Sequence, residues 1–235
     1  MKILAFIIAR KNSKGIINKN LNKISGKPLI QYTFESAIAS KVFDDIYLST
    51  DDKNIIELAK SFPHIQIPFV RPKNLSEDNS SVIDVINHLI LFLEEKKNSF
   101  THFVLLQPTC PFRYIKEIKD GVELLKKGNE SVIGVSNAVH HPADYLTLDL
   151  DGKINFMMPD HISQPRQTFP EVYFNNGGFY GCELNFFKTN QIFFNRRSKI
   201  LLMSDFSLID IDSPFDLLLA KSISKKFKKN RNEKI

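Results

Sequence analysis

The sequence predicts an α/β fold: a three-layer sandwich whose mainly parallel sheet is covered by helices on both faces. Three observations predict it. Strand-like runs such as 2–8 (KILAFII) are continuously apolar rather than alternating, as strands buried on both faces are. Such runs alternate with helix-like segments, and strand–helix–strand alternation implies right-handed crossovers between parallel strands. A chain of 235 residues, 43% hydrophobic and 25% charged, suits one domain with its own core.

The elements follow in order. Residues 2–8 form the first strand. Residues 28–40 (PLIQYTFESAIAS) read as a helix with Pro28 in its first turn. Residues 45–50 (DIYLST) are a strand, and 51–62 a helix whose opening acids suit the helix dipole. Residues 65–70 (IQIPFV) read as a short strand. Residues 80–97 carry Val82, Ile83, Ile86, Leu89, Ile90 and Leu93 on one stripe at helical spacing. A strand at 101–107, a helix at about 115–127 and a strand at 131–136 follow. The rhythm breaks at 139–171, where HHP, DLDGK and QPRQ suggest a hairpin-like arm with irregular ends. It resumes with strands at 172–181 and 199–203. IDIDSP then reads as a strand turning into a last helix, capped near Ser213 with Pro214 in its first turn. The domain therefore divides into 1–138 with 172–228, an inserted arm at 139–171, and a basic, disordered tail at 229–235.

Charge argues against nucleic acid. Of the net +6, residues 225–235 carry six Lys/Arg and one Glu, which leaves the body at 26 basic against 25 acidic residues. A basic terminus is ordinarily solvated and frayed. Cys110 and Cys182 lack metal-ligand spacing and suit a reducing compartment. No signal-peptide pattern opens the chain, and no apolar run reaches about 18 residues, so a cytoplasmic protein without membrane insertion is expected.

Polar clusters fall at expected strand ends, where parallel α/β sheets bind ligands. IIARKNSKGIINKNL (7–21) matches neither usual glycine-rich phosphate loop. Arg10, Lys14 and Lys19 would instead supply charge, with Ser13 and Asn20 adding hydrogen bonds, as suits a triphosphate. The same residues also read as a solvated basic turn. Asp210 and Asp212 stand at period two, so both carboxylates face one side of a strand and suit Mg²⁺, unless they merely end a strand and cap a helix. LLQPTCPFR is a proline-stiffened loop in which Gln107 could read a base edge, or a plain strand–helix loop. SEDNSS (76–81) reads as a helix cap. His140 and His141 are adjacent, a poor geometry for one metal, and suit arm packing.

Together the segments ARKNSKGIINKNL, GKPLI, STDD, RPKNLSEDNSS, LLQPTCPFR, HHP, QPRQ, NNGGFY and IDIDSPFDL resemble the acylneuraminate cytidylyltransferases, also called CMP-sialic acid synthetases. They occur in family order over nearly the whole chain. The resemblance implies a Rossmann-like nucleotide-binding sheet with a dimerisation arm, and a nucleotidyltransferase reaction. The anomeric hydroxyl of a nine-carbon 2-keto sugar acid attacks the α-phosphorus of CTP, giving a CMP-sugar and pyrophosphate, with Mg²⁺ (or Mn²⁺) as cofactor.

The resemblance also implies residue roles. Arg10, Asn12, Ser13, Lys14, Lys19 and Asn20 match the CTP loop, and Arg71, Ser80 and Ser81 further nucleotide positions. Gln107 matches the cytosine reader. Asp210 and Asp212 match the metal pair. Thr109, Arg113, Gln164, Arg166, Gln167 and Asn176, with Gln107, match the substrate side. Arg10, Lys19 and Asp212 are the expected catalytic groups. The family is usually a homodimer whose arm reaches the neighbouring sugar pocket. Where sialic acid enzymes commonly place a Lys after HHP, this chain has Ala143 and Asp144. An Asp repels a sugar carboxylate and accepts hydrogen bonds from hydroxyl or amide groups, so legionaminic acid, or pseudaminic acid, is expected ahead of N-acetylneuraminate. The rivals are a 3-deoxy-manno-octulosonate cytidylyltransferase and a catalytically idle nucleotide-binding module.

Overall fold

Strand β1 (Ile3–Ala9) contains no polar side chain and lies inside the sheet. Successive side chains of a strand go to opposite faces, so Ala5 and Ile7 enter one core cluster while Leu4 and Phe6 enter another. The computed structural model describes residues 1–161 and 164–233. After β1 an irregular loop leads to a small hairpin, β2 (Lys23–Ile24) with β3 (Lys27–Pro28). There follow α1 (Leu29–Ser40), β4 (Asp45–Thr50), α2 (Lys53–Ala59), β5 (Ile65–Gln66), α3 (Val82–Glu95) and β6 (His102–Leu105). The chain continues through α4 (Ile115–Lys126), β7 (Ser131–Asn137), β8 (Leu146–Leu148) and β9 (Ile154–Phe156). It closes with β10 (Tyr173–Glu183), α5 (Leu184–Asn190), β11 (Lys199–Leu202) and α6 (Pro214–Glu233).

The main sheet has seven strands in the order β11-β7-β10-β6-β1-β4-β5. Neighbours pair in parallel except around β10, which is antiparallel to both β6 and β7. The chain moves outward from β1 through β4 and β5, then crosses back to β6 on the other side. That reversal is a topological switch point, where a crevice opens beyond the carboxyl ends of the strands. Helices α1, α2 and α4 cover one face through Phe34, Ile55, Ile118 and Val122. Helices α3 and α5 cover the other through Ile86, Leu89, Phe186 and Phe187. Burying one such side chain stabilises the fold by about 1.5–3 kcal/mol. A third cluster places Leu217, Ala220 and Phe227 of α6 on Leu29, Phe112 and Ile211.

The expected elements need four corrections. The strand expected at 65–70 pairs only over Ile65–Gln66, with one isolated bridge from Thr50 to Val70, since Pro68 has no N–H to donate. Pro28 stands at the N-cap of α1 rather than in its first turn. IDIDSP is not a strand: it is an irregular extended stretch in which Ile211 N–H bonds the Thr109 carbonyl at 2.8 Å. Helix α6 runs to Glu233, into the segment expected as a disordered tail, because Phe227 anchors it in the third cluster. Helix α5 goes unread in the sequence. The Ser213 cap is present: its Oγ accepts from Asp216 N–H at 3.3 Å while Asp216 Oδ2 accepts from Ser213 N–H at 2.7 Å.

The inserted arm begins where Ala138 N–H bonds the Val172 carbonyl at 3.1 Å. Its hairpin pairs β8 with β9 around a turn in which Asp149 Oδ1 accepts from the Asp151 and Lys153 N–H groups. Leu146, Leu148, Ile154 and Phe156 are all exposed. His141 locks the arm base: its Nδ1 accepts from Ala143 N–H at 3.1 Å, its Nε2 faces the Pro170 carbonyl at 3.2 Å, and its ring lies against Phe169. No helix among the described residues is long and apolar enough to cross a membrane.

Candidate active site

A cavity of about 520 Å³ opens at the switch point. Into it β1 delivers Arg10, and the following loop delivers Ser13, Lys14, Lys19 and Asn20. That loop is bound to itself: Asn22 Nδ2 donates to the Ile17 carbonyl, and buried Asn20 donates to the Arg10 carbonyl at 3.2 Å. Lys11 N–H donates to Asp51 Oδ1, which ties the loop to the end of β4. The loop's lone glycine has a specific task. A Cβ on Gly15 would stand 2.1 Å from the Asp212 carbonyl oxygen, so only glycine lets the cationic loop lie against the IDIDSP main chain. Lys19 Nζ then reaches Asp212 Oδ1 at 2.6 Å.

The opposite wall comes from the segment between β5 and α3. Arg71 is buried, donating to the Ser49 Oγ and carbonyl at 3.0 and 2.6 Å. Burial lowers its pKa to about 10, with the Arg10 charge adding to the shift against Asp51, so it stays cationic at neutral pH. Ser80 and Ser81 line the same wall, with Leu75, Val82 and Val85. The third side is Gln107, Pro108 and Thr109, beyond β6.

Asp210 and Asp212 complete the cavity. Ile211 between them is fully buried in the third cluster, which anchors the stretch and turns both carboxylates toward the cavity. Burial holds the Asp210 carboxyl above the usual range, against a hydrogen bond from Thr109 and with the Asp212 charge adding to the rise. Its Oδ1 is buried with no hydrogen-bond partner among the described residues. An orphaned buried carboxylate oxygen beside a second carboxylate is a donor set that fits Mg²⁺, which takes one or two protein carboxylates and leaves other positions to water or phosphate. No cluster of three or more His, Cys, Asp or Glu forms a metal site among the described residues.

Of the residues named from the sequence, Arg10, Ser13, Lys14, Lys19, Asn20, Arg71, Ser80, Ser81, Gln107, Thr109, Asp210 and Asp212 share this one cavity. Asn12 is exposed on the loop and does not line it. Two expectations on the substrate side are corrected. Arg113 is fully buried. It donates to the carbonyls of Gly178 and Gln107 and to Thr33 Oγ1, bracing the Gln107 loop against β10 and α1 rather than meeting a substrate. Asn176 is likewise buried, donating to Ser136 Oγ at 2.8 Å and accepting from Gly178 N–H at 2.9 Å. It shapes the irregularity of β10 where Gly177, at φ +69°, comes close to Gln107 and Asp210. Gln164 and Gln167 are exposed at the end of the arm and do not line the cavity. The Arg166 side chain lies outside the described residues.

The sequence reading missed three contributors. Gly15 and Gly177 are close-approach glycines, and nothing local marks their partners. Asp78 bonds Arg10 Nη1 through Oδ1 at 2.7 Å, and its Oδ2 lies 3.7 Å from Lys14 Nζ. The signal for it, an acid inside SEDNSS, was present but reads equally as a helix cap.

Known proteins resemble this chain in sequence and fold. A family model described as cytidylyltransferase matches residues 4–231. A CMP-N,N'-diacetyllegionaminic acid synthase of Legionella pneumophila is 33% identical over 95% of this chain and 96% of its own. A pseudaminic acid cytidylyltransferase of Campylobacter jejuni is 30% identical over 96% of this chain and 97% of its own. Among solved structures, a CMP:2-keto-3-deoxy-manno-octonic acid synthetase complexed with CTP superposes with a TM-score of 0.69. It is 13% identical, over 96% of this chain and 99% of that one, which speaks of fold alone.

Proposed function

This chain belongs to the cytidylyltransferase family, and on that premise we propose that it transfers CMP from CTP to the anomeric hydroxyl of a nonulosonic acid, releasing pyrophosphate. The observation that carries the reading is the convergence of the cationic loop, Gln107 and both aspartates on one cavity. Arg10, Lys14 and Lys19 would hold the β- and γ-phosphates by charge-assisted hydrogen bonds, and Arg71 adds a fixed positive charge in the wall. Gln107, whose carbonyl is held by Arg113, would present its amide to the cytosine edge. Lys19 would stabilise charge as the bond from the α-phosphorus to pyrophosphate breaks and the bond to the sugar oxygen forms, the hydroxyl proton passing to water. Asp210 and Asp212 would hold Mg²⁺, or Mn²⁺ in its stead, which when bound neutralises phosphate charge.

The sugar acid would be completed from a second copy of the chain. Exposed Leu146, Leu148, Ile154 and Phe156 give the arm an apolar surface that two short strands cannot bury alone, which supports a homodimer. In that assembly Gln164, Arg166 and Gln167 would serve the partner's sugar subsite. Legionaminic acid is the preferred sugar. Support comes from Asp144 in place of a cation and from the relative named for that product. Two buried free cysteines, Cys110 and Cys182, suit work in a reducing cytoplasm.

The test is to incubate the chain with CTP and Mg²⁺, add legionaminic, pseudaminic, N-acetylneuraminic or 3-deoxy-manno-octulosonic acid in turn, and assay pyrophosphate. The expected result is release with the nine-carbon acids, fastest with the legionaminic form. Pyrophosphate with the eight-carbon acid alone would replace this reading by the octulosonate one. CTP binding without pyrophosphate from any acid would leave an idle module.

A further inference from the structure

The SEDNSS segment is not used as its sequence suggests. Ser81 caps α3, its Oγ accepting from Asp84 N–H at 3.1 Å while Asp84 Oδ2 accepts from Ser81 N–H at 3.3 Å. Asp78 therefore has no part in the cap. Instead it crosses the mouth of the cavity. Arg10 and Lys14 belong to the lip that follows β1, Asp78 belongs to the lip that leads into α3, and one carboxylate joins them. Both cations, with Glu77 and Ser80 beside Asp78 in sequence, line the cavity.

We propose that Asp78 is an exchangeable latch on the phosphate subsite, holding Arg10 and Lys14 when the subsite is empty, yielding them to a polyphosphate, and reclaiming them as pyrophosphate departs. This rests on the reading of the cavity as a CTP site. Three features support it. The Asp78 side chain is 49% exposed, so the pair is screened by water and weak enough to exchange. A polyphosphate offers Arg10 and Lys14 charge-assisted bonds of the same kind with more charge behind them. The hydrogen bond from Arg10 holds the Asp78 carboxyl below the usual range, as expected of a carboxylate engaged with that cation. Lys19 differs: it is largely buried and paired with Asp212, one of the two carboxylates proposed for the metal, so its contact is part of the reacting site.

A contact that must open before a ligand binds lowers the apparent affinity by the fraction of open molecules. Asp78 would thus weaken CTP and pyrophosphate together. For CTP the loss is offset by base and sugar contacts; for pyrophosphate it is not, and release is favoured. The experiment is calorimetric titration of the full chain, with Mg²⁺, by pyrophosphate and by CTP, for wild type, Asp78→Asn and Asp78→Glu. Asp78→Asn is expected to bind pyrophosphate about two- to fivefold more tightly, the range open to one surface ion pair. It should be inhibited by pyrophosphate more strongly during turnover, and Asp78→Glu should return toward wild type. Unchanged or weaker pyrophosphate binding by Asp78→Asn would overturn the latch and leave Asp78 a brace for the loop. Wild type that binds neither ligand would instead overturn the CTP reading itself, and the latch with it. Asp78→Ser replaces the Asn variant should that one fail to fold.

Discussion

The cavity and the arm both hold residues matched to substrate, yet they are built in opposite ways. Around the cavity every wall is braced from behind. Ile211 is buried between the two aspartates, Arg71 is bonded to Ser49, and the Gln107 loop is pinned by Arg113. The arm has little behind it: a two-stranded hairpin with its apolar residues outward, closed at the base by His141 and by Ala138 with Val172. A rigid wall suits a ligand whose charge and base edge are always the same, such as CTP. A hairpin that exposes apolar surface suits burial against a second chain. The difference supports the proposed division, in which one chain would supply the nucleotide half of the site and a second copy would complete the sugar half.

The largest effect should come from the cavity's chemistry. Asp212→Asn is expected to cut turnover on the order of a hundredfold or more. It should shift the thermal midpoint only slightly, because the Asp212 side chain is 71% exposed and its pair with Lys19 is worth about 1 kcal/mol. Parallel loss of activity and stability would return Asp212 to a purely structural part. Next is the brace. Arg113→Met should lower unfolding free energy by about 2 kcal/mol, since it takes the Arg113 donor from the buried Gly178 carbonyl and Thr33 hydroxyl and leaves the Gln107 carbonyl only the Cys110 N–H. Urea unfolding measures it, and a soluble variant of wild-type stability with a raised sugar KM would restore Arg113 to the substrate side. Smaller is Gly15→Ala. Its Cβ would force the loop off Asp212, and KM for CTP should rise roughly tenfold with the fold intact.

How far the sequence speaks depends on what its signals need. β1 is legible because an apolar run needs only burial. The cationic loop and the two aspartates are legible as chemistry only alongside the other segments, since each alone also reads as a solvated turn or a helix cap. IDIDSP misleads: its alternation matches a strand, but a strand also needs a neighbour, and only Ile211 finds one in Thr109. Arg113 and Asn176 look like ligands because nothing local records that both side chains are buried, Arg113 against β10 and α1 and Asn176 against Ser136 of β7. Asp78 is hidden by a cap signal that Ser81 and Asp84 satisfy instead. The partners of Gly15 and Gly177 are distant in the chain, so their necessity appears only in three dimensions.

The claim that the nucleotide half stands alone while the sugar half needs a second chain is tested most directly by Leu148→Asp with Phe156→Asp, which makes the exposed hairpin surface anionic. Sedimentation, calorimetric CTP affinity and CMP-sugar formation are measured on the same preparation. The account predicts a monomer that binds CTP within about twofold of wild type, the scatter of a remote substitution, and no longer forms CMP-sugar. A monomer that turns over at the wild-type rate, or one that loses CTP binding along with transfer, would contradict it.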